Sequence, residues 1–149
     1  MSSETELKLW LHPGDIQAFL ALPRLRRARP HLEQLRTIYF DTPDFKLAGH
    51  GIALRVRRTG GRWVQTLKTE GERGGGLSKR LELETPVGKP MPDLSRLPAE
   101  VADSLIRKKW RAALVPVYET RFRRTAWNLR TPDGSRVEVA LDVGEIVSG

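Results

Sequence analysis

Six segments of this chain alternate polar, mostly charged side chains with mostly apolar ones. Side chains two apart in a strand share a face, so each segment predicts a strand with one apolar and one charged side. Residues 4–11 put Glu4, Glu6 and Lys8 on one face. Residues 52–59 put Arg55 and Arg57 opposite Leu54 and Val56. Residues 62–70 put Thr66 and Lys68 opposite Gln65 and Leu67. Residues 77–87 put Arg80, Glu82 and Glu84 opposite Leu81 and Leu83. Residues 114–130 put Arg121 and Arg123 opposite Phe122, and residues 135–144 put Arg136, Glu138 and Asp142 opposite Val137, Val139 and Leu141.

Any one of these segments is ordinarily a solvated strand face. Together they carry a bias that solvent does not require. Arginine dominates the middle segments, while carboxylates gather on residues 4–11, 77–87 and 135–144. Arginine suits bidentate phosphate recognition. Clustered carboxylates suit hard divalent cations, which prefer oxygen ligands. A closed antiparallel barrel with a polar lumen would gather both sets around one space, its apolar outer face covered by helices and connectors.

A seventh strand is predicted over residues 35–42, ending at Pro43. Gly60 and Gly61 read as the turn of a β-hairpin. Residues 15–22 and 98–108 carry helical apolar stripes, and Pro23–Pro30 reads as a basic connector. Seven strands joined mostly by turns, with two helices, predict an α+β, mainly antiparallel barrel or curled sheet.

The 149 residues suit one domain, and 39% hydrophobic residues are ordinary for a globular one. No apolar run approaches a membrane span, and no N-terminal stretch has the pattern of a secretory signal. Cysteine is absent, which excludes thiol chemistry and fits a reducing, cytoplasmic setting. The net charge of +8 calls for a polyanionic partner. Carboxylates interleaved with the arginines would repel a nucleic-acid backbone, so a small phosphate compound is favoured over nucleic acid. Tyr39, Phe40, Trp63, Phe122 and Trp127 read as core. His12, His31 and His50 show no metal-like spacing. The glycine-rich run at residues 71–76 lacks the phosphate-loop pattern, and a strand follows it.

These motifs resemble the CYTH, or triphosphate tunnel metalloenzyme, superfamily. The likeness starts at ETELK, similar to that family's E-x-E-x-K signature. It continues in order through YFDTPDFKLAGHGIALRVRR, WVQTLKTEG, GGLSKRLELE and RVEVALDVGEI. It is greatest to bacterial inorganic triphosphatases. The resemblance implies an eight-stranded tunnel in which basic residues hold a triphosphate and carboxylates hold Mg2+ or Mn2+. By motif position, Lys8, Arg55, Arg57, Lys68, Arg80, Arg121 and Arg123 are the substrate-binding candidates. Glu4, Glu6, Glu82, Glu84, Glu138 and Asp142 are the metal candidates, and Glu4, Glu6 and Lys8 the catalytic ones. The implied activity is hydrolysis of inorganic triphosphate. Thiamine triphosphatase, class IV adenylyl cyclase and a non-catalytic polyphosphate- or nucleotide-binding module are the alternatives. A C-terminal helical CHAD domain often accompanies such triphosphatases.

The family pattern includes a further Glu-rich strand after the LDVGEI region, and this chain stops at Gly149. The expectation is a CYTH domain over residues 1–149 that lacks its C-terminal strand, with about seven of eight strands. Such a domain would turn over poorly and expose an edge on which a second copy could pair.

Overall fold

A computed structural model of the chain describes residues 5–70 and 81–148. It contains six strands: β1 (His31–Asp41), β2 (Ile52–Thr59), β3 (Arg62–Thr69), β4 (Glu82–Val87), β5 (Val115–Arg130) and β6 (Arg136–Ser148). They form one sheet in the order β4-β3-β2-β1-β5-β6. The pairs β1–β2, β2–β3 and β3–β4 are antiparallel. Five short helices accompany the sheet: α1 (Ile16–Leu20), α2 (Pro23–Arg27), α3 (Lys46–Gly49), α4 (Ala99–Leu105) and α5 (Lys108–Ala112). The fold is the mainly antiparallel α+β class that the alternation predicts. Among the described residues no helix is long and apolar enough to cross a membrane.

The chain forms two compact units: Met1–Leu32 with Thr125–Leu141, and Glu33–Arg124 with Asp142–Gly149. In the first, α1 presents the expected stripe, and Phe19 meets Trp127 edge-on at 6.1 Å. Leu25 of α2 and Trp127 are buried there. The expected basic connector is in part this helix. Pro23 occupies its first turn, where a missing N–H costs nothing, and Arg24, Arg26 and Arg27 lie in its last turn, where cations oppose the helix dipole.

The second unit holds the main core. Leu54 and Val56 of β2 and Leu67 of β3 are fully buried with Ile38, Phe40, Leu47, Ile106 and Trp110. The β2–β3 hairpin turns at Gly60 and Gly61 with φ of 56° and 81°. A two-residue turn whose twist matches its strands needs positive φ at both positions. Gln65 is wholly buried on the core side. Its amide donates to Thr85 Oγ1 and to the Asp93 carbonyl, both at 2.7 Å, and its oxygen accepts from Asp93 N at 2.9 Å. It thereby ties the connector after β4 to the sheet. Buried Asp41 accepts from the backbone N–H groups of Thr42, Leu47 and Ala48, which fixes the turn into α3.

Three expectations need correction. Residues 5–12 form no strand, so Glu6 and Lys8 stand on no sheet face. Leu7, Leu9 and Trp10 are 79%, 81% and 88% exposed. Alternation makes a segment strand-competent, but a strand persists only within a ladder, and nothing in the described sheet pairs with this one. The helix expected over 98–108 breaks at Ile106, which is extended (φ −117°, ψ 104°) and fully buried. The break lets both Ile106 and Trp110 reach the core. β6 also runs past Gly144 to Ser148.

Gly144 lies hard against β5: a Cβ there would stand 1.9 Å from the Arg121 carbonyl oxygen and 2.7 Å from the Phe122 ring. The first contact is backbone, so neither rotamer change nor small side-chain shifts relieve it. Gly144→Ala is expected to destabilise the fold by about 1–3 kcal/mol, as overpacking does. Urea unfolding followed by tryptophan fluorescence measures it.

Candidate functional site

The register of β1 to β4 decides which side chains share the face away from the core. Arg57 lies opposite Thr37 on β1 and Val64 on β3, and Arg55 opposite Tyr39 and Thr66. Thr66 lies opposite Glu84, and Lys68 opposite both Ala53 and Glu82. One face therefore carries Arg55, Arg57 and Lys68 at its centre, with Glu82 and Glu84 on one side and Thr37 and Tyr39 on the other. The sequence-level parity of Arg55, Arg57, Thr66, Lys68, Glu82 and Glu84 is the parity of the structure.

The cations at the centre are incompletely satisfied. Arg57 is half-buried, and its Nε donates to Thr37 Oγ1 at 2.8 Å. Burial, and then the neighbouring guanidinium of Arg55, lower its pKa from the ordinary arginine value. Arg55 Nε is buried and has no hydrogen-bond partner among the described residues. A buried charged donor without an acceptor costs stability, so such a group invites an anionic acceptor. Lys68 Nζ is 3.7 Å from Glu82 Oε1 across the strands, an exposed and weak pair.

The Tyr39 ring stacks on Tyr118 of β5 at 4.4 Å and 13°. Burial, and then Tyr39, raise the Tyr118 pKa. Arg124 of β5 donates from Nε and Nη2 to the two carboxylate oxygens of Asp142 on β6, at 2.8 and 2.9 Å. Both Arg124 and Asp142 act electrostatically on Arg57.

Glu4 and Arg80 fall outside the described residues. Glu6 and Lys8 are exposed in the unpaired segment. Glu138 lines an open pocket of about 510 Å³ with Arg130 and Arg136 at the β5–β6 hairpin. Arg123 is exposed. Arg121 pairs with Glu119 at 3.3 Å and more loosely with Glu145 at 3.9 Å. Glu119 also accepts from Arg36 Nε, and the Arg36 guanidinium sits over the Trp63 ring at 5.7 Å. Arg36 alternates with Thr37, so this network belongs to the side of β1 away from Arg55 and Arg57. Thr37, Tyr39 and Arg124 were not among the sequence candidates. Tyr118, Thr120, Phe122 and Arg124 share one parity of β5, and Arg121 and Arg123 have the other.

Hard cations prefer carboxylate, phosphate and water oxygens, and Mg2+ commonly needs only one or two carboxylates when phosphate supplies the rest. Among the described residues no three of His, Asp, Glu or Cys come together as a metal cage. Glu82 and Glu84, two apart on β4 and on the cationic face, fit the substrate-bridged arrangement and not an all-protein cage.

The Arg36–Glu119–Arg121 network makes a prediction about acid stability. Hydrogen bonds from Arg36 and then Arg121 hold the Glu119 pKa below its ordinary value of 4.5. A depressed carboxyl pKa contributes stability above the unfolded-state value, and that contribution is lost as pH falls through the folded value. Glu119→Gln is therefore expected to lower stability at neutral pH, by about 0.2–1 kcal/mol for a partly exposed pair. It should also flatten the loss of stability below pH 4.5. Urea midpoints from pH 7 down to about pH 3 test both effects.

The CYTH domain model matches residues 2–149. The inorganic triphosphatase of Haemophilus influenzae is 34% identical over 158 aligned positions, which take in all of this chain and 42% of that protein. The chain thus spans less than half the length of this relative. Among solved structures, HpAC1 from Hippeastrum, described as a candidate adenylyl cyclase with a dominant triphosphatase activity, superposes with a TM-score of 0.61 at 19% identity. The match covers 89% of this chain and 69% of that one, and it bears on the fold. With the domain model spanning nearly every residue, the chain belongs to the CYTH family.

Proposed function

We propose that this chain binds inorganic triphosphate on the face of Arg55, Arg57 and Lys68, and that with a divalent cation it hydrolyses the phosphoanhydride bond. The observation that carries the reading is Arg55 Nε, a buried charged donor with no acceptor among the described residues, beside a second half-buried guanidinium. Phosphate oxygens supply both the missing acceptor and the missing negative charge. Family membership and the triphosphatase relative support the same substrate class.

Arg55 and Arg57, two apart on β2, would grip successive phosphoryl groups, and Lys68 on the adjacent strand would add a point charge. Thr37 keeps Arg57 from rotating away. Holding the chain of phosphates along the strands fixes the direction from which water can attack in line, and positioning with charge neutralisation is most of what catalysis of phosphoryl transfer requires. Glu82 and Glu84 would hold Mg2+ or Mn2+. When bound, the ion would neutralise phosphate oxygens and lower the pKa of a coordinated water. A nucleoside or thiamine triphosphate is the second reading. It is favoured by Tyr118, 37% exposed and stacked on Tyr39 beside Arg55, where an aromatic ring could be received.

Tripolyphosphate is expected to raise the melting temperature more than sulfate at equal ionic strength. At 100 times its dissociation constant it should add about 2.7 kcal/mol. Arg57→Ala should weaken that binding by about 1.5–3 kcal/mol, the usual loss for a charged hydrogen bond. Equal shifts with both anions would mean generic anion binding and would overturn the reading. Phosphate release from tripolyphosphate with Mg2+ or Mn2+ separates hydrolysis from binding alone.

A further inference from the structure

The arginines of α2 take no part in the cationic face of β2 and β3, and the geometry points to a second surface. Arg24, Arg26, Arg27 and Arg29, bracketed in sequence by Leu22 and Leu32, form a docking surface for an anionic lipid membrane. The chain would lie on the membrane there and not span it. This inference is independent of the triphosphate reading.

The sequence concentrates positive charge at this point. Four arginines fall within six residues, and no Asp or Glu occurs between Asp15 and Glu33. Arg36, Arg96, Arg111 and Arg121 each pair with a carboxylate, and Arg107 lies over the Trp110 ring. Arg24, Arg26, Arg27 and Arg29 are all exposed, and among the described residues none of them has a hydrogen bond or an ion pair.

The helix turns these side chains outward together. Leu25 is 4% exposed and fixes which side of α2 meets the rest of its unit. At about 100° per residue, Arg24 and Arg26 stand on either side of Leu25, and Arg27 stands nearly opposite it. The backbone leaves the helix at Ala28, which is extended (φ −93°, ψ 150°), and Arg29 follows. The helix dipole favours a cation in the last turn, but it does not account for three in a five-residue helix and a fourth beyond it. Like charges crowded in this way repel, and an anionic partner offsets the repulsion.

The leucines decide which anion. Leu22 and Leu32 are 48% and 72% exposed and belong to the same compact unit as the arginines. Exposed aliphatic side chains beside a cationic cluster fit an anionic bilayer, where headgroup phosphates meet the guanidiniums and the leucines enter the acyl boundary. A nucleic-acid strand would use the arginines and leave the leucines in water. Proteins that hold single strands stack bases on aromatic rings, and no Phe, Tyr or Trp occurs between Leu22 and Leu32.

The test is co-sedimentation of the 149-residue chain with phosphatidylcholine vesicles made with or without phosphatidylglycerol, at low and high sodium chloride. Binding is expected only with phosphatidylglycerol, and salt should weaken it. Arg26→Gln and Arg27→Gln should each lower the partition coefficient by about fivefold, the usual effect of one basic residue at an anionic surface. Leu22→Ser and Leu32→Ser should lower it severalfold with no change of charge. The double variant Lys108→Gln and Lys109→Gln, which removes two exposed cations from α5, should leave it nearly unchanged, as should Arg57→Ala. Labelled single-stranded DNA at the same phosphate concentration should bind more weakly than the vesicles, and its binding should ignore the leucines. Circular dichroism melts check that each variant is folded at the assay temperature.

Binding that the α2 variants leave unchanged, or that the α5 double variant lowers as much, would reduce the effect to net charge and overturn the site. Loss of vesicle binding in Arg57→Ala would move the lipid to the other face and overturn it as well. Vesicle binding indifferent to both leucine substitutions, or DNA bound as tightly through the same arginines, would overturn the membrane as the partner. A parent chain that stays in the supernatant with phosphatidylglycerol vesicles at low salt overturns the inference outright.

Discussion

Arg55 and Arg57 stand two residues apart on one strand, on one side of the sheet, and neither is fully solvated. Two like charges brought together where water is partly excluded repel, and the repulsion grows as the local dielectric falls. Burial and the neighbouring guanidinium both act against the charge on Arg57, and the Arg55 Nε has no acceptor among the described residues. The core on the other side of β2 holds this arrangement in place. Leu54 and Val56, which alternate with the two arginines, are 1% and 0% exposed, so β2 cannot slip by one residue without driving the guanidiniums into the core. The unfavourable face is fixed by the favourable one.

The surroundings are arranged to the same end. Thr37 restrains Arg57 through a neutral hydroxyl, which leaves its positive charge available to a ligand. The carboxylates are kept to the margins. Glu82 and Glu84 are on β4, one strand beyond Lys68, and Asp142 is occupied with Arg124. Where a carboxylate does neutralise arginines directly, at Glu119 with Arg36 and Arg121, it does so within the network on the other side of β1. The sheet thus separates arginines paired for structure from arginines left short of negative charge, and the second group is the proposed triphosphate site.

Much of this was legible in the alternation of residues. The faces of β2, β3 and β4 follow from parity because both sides are informative: Leu54 and Val56 demand a core, and Arg55 and Arg57 cannot enter it. The Gly60–Gly61 turn is equally plain, since it needs two positive φ values. Parity fails where its reference residue is ambiguous. Phe122 suits either side of a strand, so it does not fix which face of β5 carries Arg121 and Arg123, whereas the stack of Tyr118 on Tyr39 ties the parity of Tyr118 to the face of Arg55. It also fails where pairing decides. The segment of Glu6 and Lys8 alternates as well as any other, yet residues 5–12 form no strand, because a ladder requires a neighbour and not just a pattern. Thr37 and Tyr39 carry no charge and so gave no signal; only the cross-strand register places them beside Arg57 and Arg55.

The central claim is that the Arg55 Nε–H is a donor awaiting a phosphate oxygen. Arginine Nε–Hε resonances in nitrogen-15 correlation spectra report this atom directly, with Arg55→Lys identifying the peak. On addition of tripolyphosphate the Arg55 Hε signal should move downfield and its exchange with water should slow, while the Arg96 and Arg111 signals, whose Nε groups already donate to Asp93 and to the Ile106 carbonyl, stay in place. An Arg55 signal that does not respond to saturating tripolyphosphate, or one that moves only as much as those of Arg96 and Arg111, would contradict the account.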